Sequence, residues 1–338
     1  MKILFLSFYY PPDLSAGSFR ASSLVDALLT ELTKNAHVEV ITTSPNRYNS
    51  FISEAPALEK NANLTIHRVK LPRHQGGMID QGKAFWAYAK AVLNLSREKN
   101  YELVIATSSR LMTAALGAYI SRKMCLPLYL DIRDIFTDAM RNILPRVVRW
   151  GILPCFLTIE NYAISSAGRV NLVSAGFSSY FQERYPRTNF TLYTNGIDEE
   201  FLKMKPLDSS KMPVKPLSVV YAGNIGEGQG LHKILPKLAK KFDGKLLFSV
   251  IGDGGRRPDL EAALLTEDCK NVEIQSPIKR EELIEVYQNA DIFFLHLNDY
   301  SAFQKVLPSK LFEYAAQGKP IWAGVAGYAA EFIDKNIE

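Results

Sequence analysis

The chain has 338 residues, more than a single hydrophobic core usually holds, so we expect two domains. Hydrophobic residues make up 47% and charged residues 22%, a balance that excludes intrinsic disorder. The net charge of +5 arises in residues 1–200, which hold 22 Lys and Arg against 17 Asp and Glu, whereas residues 201–338 hold 18 of each. Such a local basic excess suits nucleic acid, anionic lipid or a phosphorylated acceptor.

Membrane spans, disulfides and metal sites are not indicated. No apolar run approaches the roughly 20 residues of a spanning helix, and Met1 leads directly into a strand-like segment, so we predict a cytoplasmic protein. Cys125, Cys155 and Cys269 are far apart and lack C-x-x-C spacing, which predicts buried reduced thiols. The histidines show no ligand spacing, so we expect no metal cofactor.

Strand-like and helix-like segments alternate in the first part of the chain. The apolar run 1–8 is followed by a Pro-Pro loop and a helical pattern over Ser18–Leu32. Further strands are predicted at His37–Thr42, Leu64–Lys70, Leu103–Thr107 and Leu126–Ile132, and further helices at Gly82–Lys99 and Leu111–Arg122. This order predicts a parallel sheet with helices on both faces.

A second set of alternating segments follows a linker. Lys203–Pro216 holds four lysines and three prolines, so we expect an N-terminal domain at 1–200, a linker at 201–216 and a C-terminal domain at 217–338. Strands of the second domain are predicted at Leu217–Ala222, Lys245–Gly252, Val272–Gln275, Ile292–Leu297 and Pro320–Ala323. The predicted fold class is α/β, with two doubly wound, Rossmann-like domains facing a central cleft, where ligands bind at the carboxyl ends of the strands.

The loop after the first strand holds a candidate phosphate or acceptor site formed by Ser15, Gly17, Ser18 and Arg20. Gly17 allows close approach to the backbone, and Ser18 is expected to cap a helix whose free N–H groups attract an anion. An ordinary capped helix behind a rigid proline turn explains the same residues, because one glycine is not a full phosphate-binding fingerprint.

Five segments carry a resemblance to a known family: Tyr9–Arg20, Asp131–Asp134, Asn195–Asp198, Tyr221–Gly226 and Leu307–Tyr314. In this order they resemble the family 4 glycosyltransferases of GT-B fold, and among these the bacterial amino-sugar transferases of O-antigen and capsule synthesis. The resemblance covers nearly the whole chain. It implies a metal-independent, retaining enzyme whose second domain binds a nucleotide diphosphate sugar, UDP-linked, and whose first domain binds the acceptor.

The resemblance places the donor phosphates near Gly223, Asn224 and Gly226, where glycines admit a phosphate to helix-terminal amides. Without the resemblance, a plain strand-to-helix turn is the preferred explanation of these residues. Relatives carry an Arg and a Lys in this region, whereas this chain has Asn224 and Gln229. We therefore expect another cation of this chain to neutralise the negative charge of the donor diphosphate.

Lys310 is the expected cation. Pro308 suits the first turn of a helix, so Ser309 and Lys310 present amides, a hydroxyl and an ammonium to an anion. Glu313, at i+3 from Lys310, is expected to bind the ribose hydroxyls. The alternative is a solvated ion pair on a helix surface.

Two further donor residues follow from the resemblance. The first glutamate of the family signature falls on Lys305, which is expected to contact phosphate or a sugar carboxyl rather than orient the transferred sugar. Ile278, after Pro277, matches the position whose backbone reads the nucleobase; a simple turn is the alternative.

Arg133 and Asp134 are the candidate catalytic residues, at the end of an apolar strand where relatives carry a histidine. Arg133 is expected to bind the leaving phosphate, and Asp134 to accept the proton of the acceptor hydroxyl or to hold Arg133. A buried Arg/Asp pair that only fixes the loop is the alternative.

The segment Ala139–Ile159 contains Arg141, Arg146 and Arg149 and no acidic residue. As a helix it would place these arginines opposite a face of Ile143, Leu144, Val147 and Trp150, the layout of an interfacial helix. Pro145 and Pro154 predict that any helix here is short. A core helix with a solvated basic face is the alternative; with the resemblance, a polyprenyl-diphosphate-linked saccharide acceptor and contact with the inner face of the bacterial plasma membrane are expected.

Three other functions remain open from the residues alone. A nucleotide-sugar epimerase has the same architecture but would need acids and bases clustered around one sugar. A non-catalytic nucleotide-sugar-binding module would fit Lys305. Nucleic-acid binding is disfavoured by the neutral second domain and by the lack of interleaved aromatic and basic residues.

Overall fold

The computed structural model describes residues 1–32, 36–46, 54–72, 78–108, 110–197, 199–202 and 216–337. These residues fall into two compact units, the first ending at Thr194 and the second beginning at Asn195. The expected linker at 201–216 lies mostly outside the described residues. Phe201 is buried in the core of the second unit, so that unit begins earlier along the chain than expected.

The first unit is a sheet covered by helices. Its strands are β1 (Lys2–Leu6), β2 (His37–Thr43), β3 (Leu58–Lys60), β4 (Leu64–Val69), β5 (Leu103–Thr107), β6 (Leu128–Ile132), β7 (Arg169–Leu172) and β8 (Phe190–Leu192). Its helices are α1 (Ala16–Glu31), α2 (Met78–Ser96), α3 (Leu111–Met124), α4 (Phe136–Ile143), α5 (Arg146–Ser166) and α6 (Ser178–Arg184). The strand order is β3-β4-β2-β1-β5-β6-β7-β8, parallel except for the β3–β4 pair.

The apolar strands explain this arrangement. Ile3, Leu4, Phe5 and Leu6 of β1 are all fully buried, as expected for a central strand covered on both faces. Because every neighbouring strand of β1 runs parallel to it, the ends of β1, β5 and β6 come together at one edge of the sheet.

The second unit begins with α7 (Glu199–Leu202) and contains a smaller sheet. Its strands are β9 (Leu217–Ala222), β10 (Leu246–Ile251), β11 (Val272–Gln275), β12 (Ile292–His296) and β13 (Ile321–Gly324). Its other helices are α8 (Leu231–Lys241), α9 (Arg257–Thr266), α10 (Arg280–Asn289), α11 (Lys310–Ala315) and α12 (Tyr328–Asn336). The order β11-β10-β9-β12-β13 is parallel throughout, so the predicted α/β class with two doubly wound sheets is confirmed.

Two sequence expectations about the side chains and helices are wrong. Cys125 and Cys155 are exposed and Cys269 is half-buried, because Cys125 caps the C-terminus of α3 at the surface and Cys155 lies on the solvent side of α5. Helix α5 is 21 residues long and continues through Pro154. Gly151, Pro154 and Cys155 face solvent, so water can satisfy the carbonyl that a proline leaves without an intrahelical donor. No helix in the described ranges combines the length and apolarity needed to cross a membrane.

Candidate functional site

The N-terminus of α1 follows the loop after β1. Ser15 is its N-cap: the Ser15 Oγ accepts a hydrogen bond from the N–H of Ser18 at 3.2 Å. The expectation that Ser18 caps this helix is wrong, because the helix already begins at Ala16. Gly17 and Ser18 are buried, and the Ser18 Oγ has no hydrogen-bond partner in the described part of the chain.

Arg20, the fourth loop residue, is engaged within the first unit. Its Nε and Nη2 donate to the two carboxylate oxygens of Asp131 at 2.8 and 2.7 Å. Its Nη1 donates to the carbonyl of Thr194 at 2.7 Å, and Nη2 also reaches the carbonyl of Tyr193 at 2.9 Å. Arg20 therefore joins α1 to the ends of β6 and β8, rather than pointing its guanidinium at an open phosphate site.

Asn171 completes this arrangement from β7, and sequence reasoning missed it. Its Nδ2 donates to the Asp131 Oδ1 at 2.9 Å and to the Tyr193 carbonyl at 3.0 Å. Its Oδ1 accepts from the Tyr193 N–H at 2.8 Å. Asp131 and Asn171 are fully buried. An asparagine within an apolar strand was the available signal, since buried polar groups require partners.

Arg133 and Asp134 follow β6 at the same edge of the sheet. The Arg133 N–H donates to the Ser108 Oγ at 3.0 Å, which fixes the loop to the end of β5. The Arg133 Nη1 is buried and makes no hydrogen bond within the described residues. Burial lowers the pKa of Arg133, and the carboxylates of Asp131 and Asp134 oppose this effect. Asp134 is exposed and lines a narrow recess with Ser108 and Glu160.

Arg110 is a second cation at this edge that sequence reasoning missed. Its guanidinium lies 4.0 Å from the centre of the Phe8 ring, and its Nη2 donates to the Tyr9 hydroxyl at 3.1 Å. Tyr9 belongs to the loop after β1 and Arg110 precedes α3. The ring holds the guanidinium by a cation–π contact, so a positive charge is fixed near the β1 loop.

Glycines bring two loops of the second unit into close contact. Gly252, with φ at +155°, follows β10, and a Cβ there would lie 1.8 Å from the carbonyl oxygen of Gly223. Gly254, with φ at +152°, packs in the same way on the carbonyl oxygen of Ile225. A side chain at either position is excluded by contact and by backbone conformation.

Lys310 lies against Gly223. A Cβ at Gly223 would come within 2.5 Å of the Lys310 Cε and 3.4 Å of its Cδ, so the absent side chain leaves room for the lysine. The Lys310 Nζ is 3.9 Å from the Glu313 Oε2, and the two side chains are only 24% and 17% exposed. This pair differs from the solvated surface pair that was the alternative.

Tyr287 of α10 also contacts the Glu313 carboxylate, and sequence reasoning missed it. Its hydroxyl donates to the Glu313 Oε2 at 3.1 Å. Burial raises the pKa of Tyr287 well above its usual value, so the hydroxyl stays protonated. Within a helix of mixed residues, a lone tyrosine gave no sequence signal beyond a core aromatic.

The two residues that replace the basic pair of relatives contact each other. The Asn224 Nδ2 donates to the Gln229 Oε1 at 2.9 Å. A Cβ at Gly226 would lie 2.4 Å from the Asn224 Nδ2 and 2.9 Å from the Gln229 Oε1, so the glycine makes room for this amide pair. The loop after β9 is therefore closed by a neutral contact.

The remaining donor candidates take different positions. Ile278 packs against the apolar cluster that contains Tyr287 and Leu311. Ser309 is the N-cap of α11, although its side chain makes no capping hydrogen bond. Lys305 ends a short 3-10 turn over Phe303–Lys305 and is half-buried.

The expected interfacial segment is divided between α4 and α5. Val147 and Trp150, in the first turns of α5, are each 87% exposed, and Arg146 beside them is exposed. Leu144 is buried, so its expected place on the exposed apolar face is wrong: it lies between the two helices, and its carbonyl accepts from Arg149 at 3.3 Å. Arg141 lies 3.7 Å from Asp138.

Metal-binding geometry is not found: in the described ranges, no three His, Cys, Asp or Glu side chains are grouped to hold an ion. Cations at the carboxyl edges of the two sheets include Arg20, Arg110, Arg133 and Lys310.

Comparison with known proteins identifies the class. Residues 207–337 match the family described as glycosyl transferases group 1. WcaI of Escherichia coli (strain K12), assigned as a colanic acid biosynthesis glycosyl transferase, is 28% identical over 107 residues, which is 32% of this chain and 26% of WcaI. The matched segment therefore spans about a quarter of that relative.

Solved structures extend the similarity over the whole chain. Sucrose-phosphate synthase from Thermosynechococcus elongatus superimposes with a TM-score of 0.73 at 14% identity, covering 100% of this chain and 84% of that protein. Alr3699/HepE of Anabaena, in complex with UDP, gives 0.64 at 18% identity, covering 98% and 83%. The fold is that of GT-B glycosyltransferases. The family match over residues 207–337 covers less than half of the chain and lies in the second unit. Together with WcaI and the solved structures, it confirms the resemblance to glycosyltransferases inferred from the motifs.

Proposed function

We propose that this protein is a retaining glycosyltransferase that moves a sugar from a UDP-linked donor to a polyprenyl-diphosphate-linked saccharide in O-antigen or capsule synthesis. The observation that carries the proposal is the contact of Lys310 with the bare backbone of Gly223. It puts a half-buried ammonium at the carboxyl end of β9, the edge at which open α/β sheets bind their ligands. A cation at this place favours a diphosphate.

The rest of the donor would be held by the same unit. Glu313 faces the same region as Lys310, and its carboxylate suits the two hydroxyls of a ribose. The backbone at Ile278 is the proposed contact for the nucleobase. A uridine base is supported by the UDP complex of HepE, and a polysaccharide product by WcaI; the amino sugar rests on the resemblance of the motifs.

The first unit would bind the acceptor. The buried Arg133 Nη1 makes no hydrogen bond in the described part of the chain, and a buried N–H donor without an acceptor favours an anion such as a phosphate oxygen. Asp134 is exposed beside it and is the proposed proton acceptor for the attacking hydroxyl. Retention of configuration is carried over from the resemblance: the acceptor hydroxyl would attack the face of the sugar from which the nucleoside diphosphate leaves, while Asp134 takes the hydroxyl proton.

We propose that no metal takes part and that lysine and arginine side chains offset the diphosphate charge. Transfer activity should then survive chelation by EDTA. Contact with the inner face of the plasma membrane is proposed through Val147 and Trp150, with Arg141, Arg146 and Arg149 near anionic headgroups. A cytoplasmic protein that acts on a lipid-linked acceptor needs such a contact.

The test is a transfer assay with UDP-hexoses and UDP-N-acetylhexosamines, using lipid-linked saccharides extracted from bacterial membranes. Labelled sugar should enter the lipid fraction and UDP should be released, and Lys310→Ala and Asp134→Asn should each reduce transfer at least about 10-fold. Lys270→Ala, at an exposed lysine of the same unit, is the control. Conversion of the donor sugar without transfer would identify an epimerase, and binding without turnover a binding module.

A further inference from the structure

The tyrosine that hydrogen-bonds Glu313 belongs to a cluster of buried aromatic side chains in the second unit. Tyr287 is fully buried, and its ring lies 5.6 Å from Phe201, 5.1 Å from Phe293 and 5.6 Å from Tyr314, measured between ring centroids. These neighbours leave the ring little freedom, so its hydroxyl has a defined position.

The backbone of Tyr287 is fixed as well. The buried Lys319 Nζ donates to the carbonyls of Tyr287, Gln288 and Ala290 at 2.8, 2.7 and 2.7 Å. Tyr287 and Gln288 lie in the last turn of α10 and Ala290 is its C-cap, so the Lys319 ammonium satisfies carbonyls at the helix C-terminus. Ring and backbone together make Tyr287 a rigid support.

The two oxygens of the Glu313 carboxylate have different surroundings. Oε2 accepts from the Tyr287 hydroxyl at 3.1 Å and lies 3.9 Å from the Lys310 ammonium. Oε1 takes no hydrogen bond from the described residues. One oxygen is thus fixed by the protein, while the other remains able to accept from a ligand.

We propose that Tyr287 is a positioning residue that orients the Glu313 carboxylate toward the 2′- and 3′-hydroxyls of the donor ribose, and so sets the preference for ribonucleotides over 2′-deoxyribonucleotides. This inference rests on the proposed donor site. The Tyr287 hydroxyl holds the Glu313 carboxylate at Oε2, so the carboxylate cannot rotate away when a 2′-deoxyribose lacks one hydroxyl. Binding then still desolvates the carboxylate, but no hydrogen bond from the missing hydroxyl compensates that cost.

The test compares two ligands on each protein. Isothermal titration first finds which of UDP, GDP, ADP and CDP the wild type binds best, and the same nucleotide with a 2′-deoxyribose is then titrated. Tyr287→Phe removes the hydroxyl and keeps the ring. Tyr88→Phe is the matched control, because Tyr88 is also fully buried but donates to the Ile41 carbonyl in the first unit.

The wild type and Tyr88→Phe should prefer the ribonucleotide by about 10-fold, the factor for one hydrogen bond to a charged group. Tyr287→Phe should reduce this ratio toward 1 mainly by weakening ribonucleotide binding. The ratio is insensitive to a misfolded fraction, because both ligands are measured on one preparation.

An unchanged ratio in Tyr287→Phe would overturn the inference and leave the donor site standing. A wild type that binds ribo- and deoxyribonucleotide equally would overturn the assignment of Glu313 to the ribose. Failure of the wild type to bind any of the four nucleotides would overturn the proposed function together with the inference.

Discussion

Arg20 and Asp131 form a bidentate ion pair in the first unit: the Arg20 Nε is 2.8 Å from the Asp131 Oδ2, and the Arg20 Nη2 is 2.7 Å from the Asp131 Oδ1. The Asp131 side chain is fully buried and that of Arg20 is 14% exposed. The same guanidinium holds the carbonyls of Tyr193 and Thr194, where the first unit ends. The pair thus fixes the last strand of the sheet to the first helix.

Replacing Arg20 by Lys should lower the free energy of unfolding of the first unit by roughly 2 kcal/mol, since an ammonium cannot reproduce the planar fork and the buried Asp131 loses hydrogen bonds. Denaturant unfolding followed by tryptophan fluorescence measures this. Arg97→Lys is the control, because Arg97 and its partner Glu98 are 77% and 86% exposed. An equally small effect for both variants would contradict the structural role of Arg20.

Gly223→Ala should weaken binding of a nucleoside diphosphate by about 10-fold, because the new Cβ would displace the Lys310 side chain from the end of β9. The fold should survive, since the end of a lysine side chain can move. Gly255→Ala, where a Cβ meets nothing within 4 Å, should bind like the wild type. Unchanged affinity in Gly223→Ala would show that the ammonium does not contact the ligand.

Glu160 should make the first unit less stable as the pH rises. Burial raises the pKa of this glutamate, against the hydrogen bonds of Thr137, Tyr180 and Tyr185, which lower it. A carboxyl whose pKa is higher in the folded state stabilises the fold fully below its unfolded pKa, which is near 4.5 for a glutamate, and loses that contribution as the pH rises through the folded pKa.

Glu160→Gln mimics the neutral acid, so its stability relative to the wild type should improve as the pH rises above about 4.5 and through the raised folded pKa of Glu160. Thermal unfolding of both proteins across this range tests the sign. Glu183→Gln, at an exposed position on α6, should show no such trend. A relative stability of Glu160→Gln that falls with rising pH would mean that the glutamate is charged in the fold.

Trp150→Ala should reduce sedimentation of the protein with vesicles of phosphatidylglycerol and phosphatidylethanolamine by several-fold, since an exposed indole inserts at a lipid interface. Trp86→Ala is the matched control, at a tryptophan that is 67% exposed on α2. Equal loss in both variants, or binding that does not depend on the anionic lipid, would contradict docking through the start of α5.

The sequence predicted the alternating elements because apolar strands and amphipathic helices leave a local pattern. It did not predict α5 through Pro154, since solvent access to the freed carbonyl is a property of the fold. The N-cap of α1 is Ser15 and not the predicted Ser18 for a similar reason. Several serines in this segment are able to cap a helix, and the geometry of the loop determines which one does.

The site was predicted in part. Lys310 and Glu313 lie one turn apart on a helix, so their proximity follows from sequence spacing. The contact of Lys310 with Gly223 joins residues far apart in the chain, and no local pattern predicts it. Arg20 was expected to face a phosphate, but Asp131, Tyr193 and Thr194 bind it instead. Tyr287 has the sequence pattern of an ordinary core aromatic, and only the structure shows that its hydroxyl donates a hydrogen bond to Glu313.

The most direct measurement of the central claim is calorimetric titration of UDP into the wild type, Lys310→Ala and Glu313→Ala, without added metal. We expect saturable binding by the wild type and a loss of affinity of at least about 10-fold in each variant, because each substitution removes a charged contact from one site. Wild-type affinity in both variants, or no binding of UDP by the wild type, would contradict a donor site built on Gly223, Lys310 and Glu313.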